Sequence, residues 1–218
     1  MEIVIILIML NMFSMEVNAE SKANYIVGSI PMKVPLTELV DISPWLWLKS
    51  FSGLDANVDG FIFELDPKCI DGETLKYPQL KIVGSVSDFS NENLIKFSDS
   101  SDYETLWYAQ LDFEDREIIK YEELEIYFVY ASKGYRGMFY IFSSFPDKEK
   151  KLPHNKWDFL VAICSSSSVS EHKNVSCNRQ ILVQDKLLVN YSFSLENLPF
   201  QQKLDSYIRN KVISWIVN

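Results

Sequence analysis

The chain has 218 residues, 47% of them hydrophobic and 14% aromatic, which is ample for a packed core. Thirty acidic side chains against twenty-one basic ones give a formal charge of −9. That balance argues against nucleic acid and anionic membrane surfaces as partners, since both need clustered Lys and Arg to displace counterions.

The first nineteen residues read as a secretory signal peptide. Ile3 to Leu10 is an unbroken apolar run, and Val17-Asn18-Ala19 is a small-residue cleavage pattern. Glu2 stands where a positive n-region is usual. The run falls short of the ~20 apolar residues a bilayer span needs, and no second run occurs, so the mature chain is expected to be soluble and to work in a periplasm or outside the cell. Cleavage after Ala19 removes Glu2 and Glu16 and leaves a net charge of −7. Residues 20–218 are then expected to form one domain.

Past the signal, most apolar segments are short and rich in aromatic and β-branched residues, which favours strands. Tyr25 to Ile30, Phe61 to Leu65 and Lys81 to Val86 are early strand candidates, and a short helix is expected over Leu36 to Phe51. Asp55-Ala-Asn57-Val-Asp59-Gly60 through Asp66 fits a calcium loop, with oxygen ligands at positions one, three and five, Gly at six and a carboxylate at twelve. The twelfth residue is Asp66 in place of the longer Glu, and Pro67 with the β-type run before it denies the loop its exiting helix. A polar turn leading into a strand is the preferred reading. Calcium bound by Asp55, Asn57, Asp59 and Asp66 is the alternative, as a stabiliser, and no other cofactor is expected.

The polar stretches 66–79, 87–104 and 146–156 read as loops. Between the last two, Thr105 to Glu114 alternates, with Trp107, Ala109, Leu111 and Phe113 on one face and Tyr108, Gln110, Asp112 and Glu114 on the other. An acidic run follows through Asp115, Glu117, Glu122, Glu123 and Glu125, interleaved with Tyr121 and Tyr127. It reads either as a solvated face or as a landing surface for a cationic protein. In the second case Trp107, Tyr108, Tyr121 and Tyr127 supply anchors, and Asp112, Glu114, Asp115, Glu122, Glu123 and Glu125 supply charge.

Leu124, Ile126, Phe128 and Tyr130 alternate, and Lys133-Gly134-Tyr135-Arg136-Gly137 supplies turn glycines before Met138 to Phe145, so a hairpin is expected. The Gly-x-x-Gly in that turn is better explained by the hairpin than by a nucleic-acid clamp. A second hairpin joins Asn178 to Val183 with Leu187 to Ser194 through Gln184-Asp185. Three cysteines in an exported chain imply one disulfide and one odd thiol. Cys164 and Cys177 flank one polar segment between two apolar runs and are the expected pair, stabilising by roughly 3 kcal/mol on the chain-entropy model. Cys69 is left as a buried hydrophobe or a reactive thiol. Asn174-Val-Ser176 and Asn190-Tyr-Ser192 match the glycosylation acceptor pattern, which has meaning only in a eukaryotic source.

The chain closes on an amphipathic helix over about 198–216, in which Leu204, Ile208, Val212 and Trp215 recur at helical spacing, with Asn197 as N-cap and Pro199 in the first turn. The expected fold is α+β: a mainly antiparallel β-sheet with this helix packed on it.

Motifs for catalysis are sparse. Two histidines, His154 and His172, stand in polar stretches, and no Gly-x-Ser-x-Gly, Walker or His-Glu-x-x-His pattern occurs. The succession Trp157, Cys164, Cys177-Asn-Arg179, Gln184 to Phe193, Leu198 and the helix ending at Trp215 resembles the tail of small periplasmic immunity proteins of bacterial type VI secretion. The resemblance implies a non-enzymatic inhibitor that blocks one toxic effector in the periplasm, and transfers no site residues; the acidic body points separately to a cationic or cleft-bearing protein as the partner. A secreted hydrolase of unrecognised family is the rival expectation.

Overall fold

The computed structural model describes residues 21–40, 56–65, 69–70, 73–74, 82–89, 117–130, 137–143, 160–166 and 175–217. In chain order the strands are β1 (Lys22–Val27), β2 (Ile30–Pro35), β3 (Ala56–Val58), β4 (Gly60–Leu65), β5 (Cys69–Ile70), β6 (Glu73–Thr74), β7 (Ile82–Asp88), β8 (Glu117–Tyr121), β9 (Ile126–Tyr130), β10 (Met138–Phe142), β11 (Leu160–Ser166), β12 (Val175–Val183) and β13 (Leu187–Ser194). A 3-10 segment, Leu195–Phe200, leads into the helix α1, Gln201–Trp215. The expected α+β class holds, a mainly antiparallel fold with a C-terminal helix packed on its sheet.

Eight strands form one fully antiparallel sheet in the order β4-β7-β13-β12-β11-β10-β9-β8. A smaller sheet, β2-β1-β3, contributes Ala23, Tyr25, Val27, Met32 and Val34 to the same core that Leu204, Ile208, Val212 and Trp215 of α1 fill. Alternation is the cause: these β1 and β2 residues sit two apart and face one side, while Asn24, Ile26 and Lys33 face the other. At the start of the helix Arg179 on β12 forks onto Asp205, with Nε 2.7 Å from Oδ1 and Nη2 2.6 Å from Oδ2. Tyr191 donates to the same carboxylate at 2.6 Å, and Gln201 donates to it from the preceding turn. Arg179 also reaches the Val161 carbonyl at 2.5 Å. Val161 is the residue the β10–β11 register skips, Ile141 facing Ala162 and Phe142 facing Leu160, so a bulge frees its carbonyl and Arg179 satisfies it. Burial alone would lower the Arg179 pKa; the hydrogen bond and charge of Asp205 raise it above its ordinary value.

Both expected hairpins form, β9–β10 and β12–β13, the latter turning at Gln184 and Asp185 with positive φ. Cys164 and Cys177 lie directly opposite on β11 and β12, fully buried, and are joined by a disulfide. Asn190 sits mid-strand in β13 between Gln180 and Ser85 with a buried Oδ1, a poor place for a glycan.

Three local expectations are corrected. Tyr25 to Ile30 is not one strand: Gly28 adopts φ +60° and turns the chain at Gly28-Ser29, so that Val27 faces Ile30 across a two-residue hairpin. No helix propagates from Leu36 through residue 40, and residues 41–51 of the expected helix lie outside the described residues. A 3-10 turn, Leu36–Glu38, ends at Leu39, which is extended and bridges to Phe63. Asn197 is not the cap of α1. Leu198 precedes Pro199 and is biased away from α geometry, so the chain winds as a 3-10 segment first and α1 begins after Phe200 without a side-chain cap. The signal segment, Thr105 to Glu114 and both histidines lie outside the described residues.

Candidate functional site

The tip of the β8–β9 hairpin carries the acidic residues expected to face a partner. Tyr121 pairs with Ile126, leaving Glu122, Glu123, Leu124 and Glu125 as the turn. Leu124 N–H donates to the Tyr121 carbonyl at 3.4 Å and Glu125 N–H to that of Glu122 at 3.3 Å. Glu125 holds φ +52°, a left-handed backbone that costs an ordinary side chain of order 1 kcal/mol. The turn exposes its three carboxylates and folds Leu124 inward, half-buried. Lys120 pairs with Glu122 at 2.6 Å, and this hydrogen bond raises the Lys120 pKa. The Tyr121 hydroxyl donates to Glu123 at 3.4 Å.

Beside this turn lies a groove of about 490 Å³ lined by Tyr121, Leu124 and Phe128 on one side and Leu195, Glu196, Leu198 and Pro199 on the other. The second wall follows from 3-10 geometry. With three residues per turn, Leu195 and Leu198 form one ridge and Glu196 and Pro199 the next; all four line the groove, and Leu198, 7% exposed, is part of the core as well. The third ridge, Asn197 and Phe200, turns to the protein: Asn197 is 3% exposed and Phe200 packs on the core. Most of the lining is apolar, Glu196 stands in it, and the exposed Glu122, Glu123 and Glu125 flank the lining residue Leu124 along the turn and so give the groove an acidic rim. The clamp on Asp205 fixes the start of α1 and so the wall that leads into it.

Of the expected partner-binding residues, Glu122, Glu123 and Glu125 come together at the rim. Tyr127 does not. It belongs with Val129, Tyr140, Phe142 and Ile163 on the opposite face of the sheet, one residue out of phase with Phe128. Trp107, Tyr108, Asp112, Glu114 and Asp115 lie outside the described residues. Tyr121 and Phe128 meet at 6.0 Å between ring centroids, and Phe128 meets Phe139 at 5.6 Å, edge to face. The wall Leu195 to Pro199 was missed as site material because Leu198 and Pro199 read as helix entry. The Pro within an apolar, acid-bearing segment was the available signal.

Asn57 lies in β3, Asp59 at the bend after it and Gly60 at the head of β4, so residues 56–65 run as two extended strands and not as a wound ligand loop. Asp55 and Asp66 lie outside the described residues. Among the described residues no group of three or more His, Cys, Asp or Glu is placed to hold a metal ion, and no helix is long and apolar enough to cross a membrane.

No protein-family model matches the chain, and no curated protein matches it. Two solved structures are similar in outline. An immunity protein of the Stenotrophomonas maltophilia type IV secretion system, Smlt3025, is 11% identical with a TM-score of 0.45, over 91% of this chain and 94% of that one. The iron-regulated outer membrane lipoprotein FrpD of Neisseria meningitidis is 14% identical with a TM-score of 0.48, over 92% of this chain and 94% of that one. The immunity protein of this pair belongs to a type IV system, not to the type VI systems of the sequence resemblance.

Proposed function

We propose that this chain is an exported, non-enzymatic binding protein that docks a basic partner protein in the groove between the β8–β9 turn and the 3-10 segment. The single observation that carries the reading is the groove itself: an apolar floor of Leu124, Phe128 and Leu198 beside four acidic side chains. An apolar side chain of the partner fills the floor and supplies affinity, while its Lys and Arg meet the rim. The charge contributes chiefly to the rate of encounter. Export is supported by the N-terminal apolar run with its Val-x-Ala ending, and by the Cys164–Cys177 bridge, which suits an oxidising compartment. Most specifically the role is that of an immunity-type inhibitor that neutralises one toxic effector in the periplasm. Type VI delivery is the system that the sequence resemblance implies.

The test begins with the protein that co-purifies from the native host. Replacing Glu122, Glu123 and Glu125 by Lys should slow its association about tenfold and weaken the salt dependence. Leu198→Ala should speed dissociation, measured on the folded fraction, because Leu198 is also part of the core and its truncation lowers the melting temperature. Unchanged kinetics in both variants, or hydrolysis of lipid, peptide or glycan by the purified chain, would sink the reading.

A further inference from the structure

Four acidic side chains stand at the groove, and they are not equivalent. Glu122 is held by Lys120 at 2.6 Å, and Glu123 accepts from the Tyr121 hydroxyl at 3.4 Å, so both are engaged within the turn. Glu196 is the one of the four that lines the groove itself, from the wall opposite the turn. Its side chain is exposed, while its neighbours anchor the backbone that carries it: Asn197 is buried, Leu198 belongs to the core, and Phe200 packs against that core. The hydrogen bonds of Arg179 and Gln201 to Asp205 hold the helix that follows. A charge on so fixed a wall is pre-placed for a partner, and little backbone freedom is lost when it is met. The other wall carries Tyr121, 41% exposed, and Phe128, whose rings meet at 6.0 Å between centroids with a 38° tilt.

We propose that Glu196 and Tyr121 form a slot for one arginine side chain of the partner protein and discriminate against lysine. The inference rests on the docking reading above and names which basic residue the groove takes. An acidic rim by itself treats the two cations alike, because a point charge satisfies it. The groove combines three features that a guanidinium meets together. Leu124, Leu195 and Leu198 offer apolar lining to a methylene stem. Tyr121, exposed and part of the lining, offers an aromatic ring on which a planar, weakly hydrated cation stacks. The Glu196 carboxylate accepts two parallel N–H bonds from the guanidinium fork, a geometry that the ammonium of lysine does not supply. At about 490 Å³ the groove lies within the ~300–1,000 Å³ of sites that enclose a small ligand, so it takes this arginine together with the apolar side chain that fills the floor.

The experiment titrates the full mature chain, observed by NMR, with three end-blocked peptides: Leu-Gly-Arg, Leu-Gly-Lys and Leu-Gly-citrulline, the last a neutral copy of arginine's shape. The arginine peptide should bind about tenfold more tightly than the other two and shift the amides of Tyr121 and of residues 195–198. Glu196→Gln should remove that preference with an unchanged melting temperature, and Tyr121→Leu should cut it about threefold. Equal binding of the arginine and lysine peptides, a preference that survives Glu196→Gln, or no shift with any of the three at millimolar concentration would each overturn the inference. If the native partner responds to Leu198→Ala yet leaves the Glu196→Gln variant at the unmodified rate, arginine selection fails and the docking reading stands. If the arginine peptide is preferred while the partner ignores both Leu198→Ala and the Glu122, Glu123 and Glu125 to Lys variant, the docking reading fails and the arginine slot remains.

Discussion

The two ends of the eight-stranded sheet carry the same kinds of residue and use them in opposite ways. At the β4 end, Phe61 and Phe63 meet Trp215 at centroid distances of 5.9 and 5.5 Å, Tyr25 stacks on Phe61, and the indole N–H of Trp215 donates to Glu38 at 3.0 Å. Gly84 in β7 belongs to this end as well: a Cβ there would stand 2.4 Å from the Phe63 ring and 2.8 Å from the Asn190 carbonyl, so only glycine lets the ring lie across the strand. Ile216 then bridges to Met32, tying the chain's end to the small sheet. At the β8 end, the core-facing residues Leu124 and Phe128 are only partly covered, while α1 packs chiefly on β12, β2 and β5. The same alternation that builds a core under the helix builds a groove where the cover is partial. One end stores stability, and the other leaves apolar surface and charge open to a partner.

The largest effect that can break this contrast lies at the clamp between sheet and helix. Asp205→Ala leaves the Arg179 guanidinium, 15% exposed at the side chain, without its counter-charge, and should cost about 3 kcal/mol. Denaturant unfolding measures it; a loss under about 1 kcal/mol would show that α1 is held by apolar burial alone.

Removing the Cys164–Cys177 bridge by paired Ser substitution should cost up to about 3 kcal/mol, from a loop closed over a sequence separation of 13. The melting temperature should fall more than partner affinity, since the bridge is buried and neither cysteine lines the groove. Loss of binding in a folded, bridge-free variant would mean that the groove depends on it.

Tyr191 sharpens the contrast through pH. Burial, and then the charge of Asp205, push its pKa above the ordinary 10.0. A raised folded-state pKa gives stability that is complete below the unfolded value and is lost as pH rises past it. Unfolding free energy should therefore fall above about pH 10 by up to ~1.4 kcal/mol per unit from this one group. Tyr191→Phe should flatten that slope. An unchanged alkaline slope would assign it to Tyr25, which burial also raises.

Much of the packed end was legible in the sequence. The β12–β13 hairpin declares itself by alternation on both sides of Gln184-Asp185, and α1 by Leu204, Ile208, Val212 and Trp215 at helical spacing. The disulfide followed from two cysteines closing one polar segment. The groove was not legible, because its walls are Leu124 with Phe128 and Leu195 with Leu198, stretches about seventy residues apart that no local period connects. Tyr127 shows the limit from the other side. Charge and aromatic content placed it beside Glu125, yet the two-residue period of β9 sends it through the sheet from Phe128. Gly28 split an apparent single strand because one positive-φ turn outweighs the apolar pattern around it.

The smallest expected effect concerns calcium. With residues 56–65 extended, a chelator should move the melting temperature by less than about 1 °C. A large calcium-dependent rise, abolished by Asp55→Ala, would restore the metal reading and make the β3–β4 bend a functional part of the packed end.

Hydrogen exchange of the chain, free and bound to the partner that co-purifies with it, compares the two ends in one measurement. The account predicts new protection in residues 117–128 and 195–200 and none in 60–65 or 82–88. Protection confined to the β4 end, with the β8–β9 turn and the 3-10 segment exchanging as in the free chain, would contradict it.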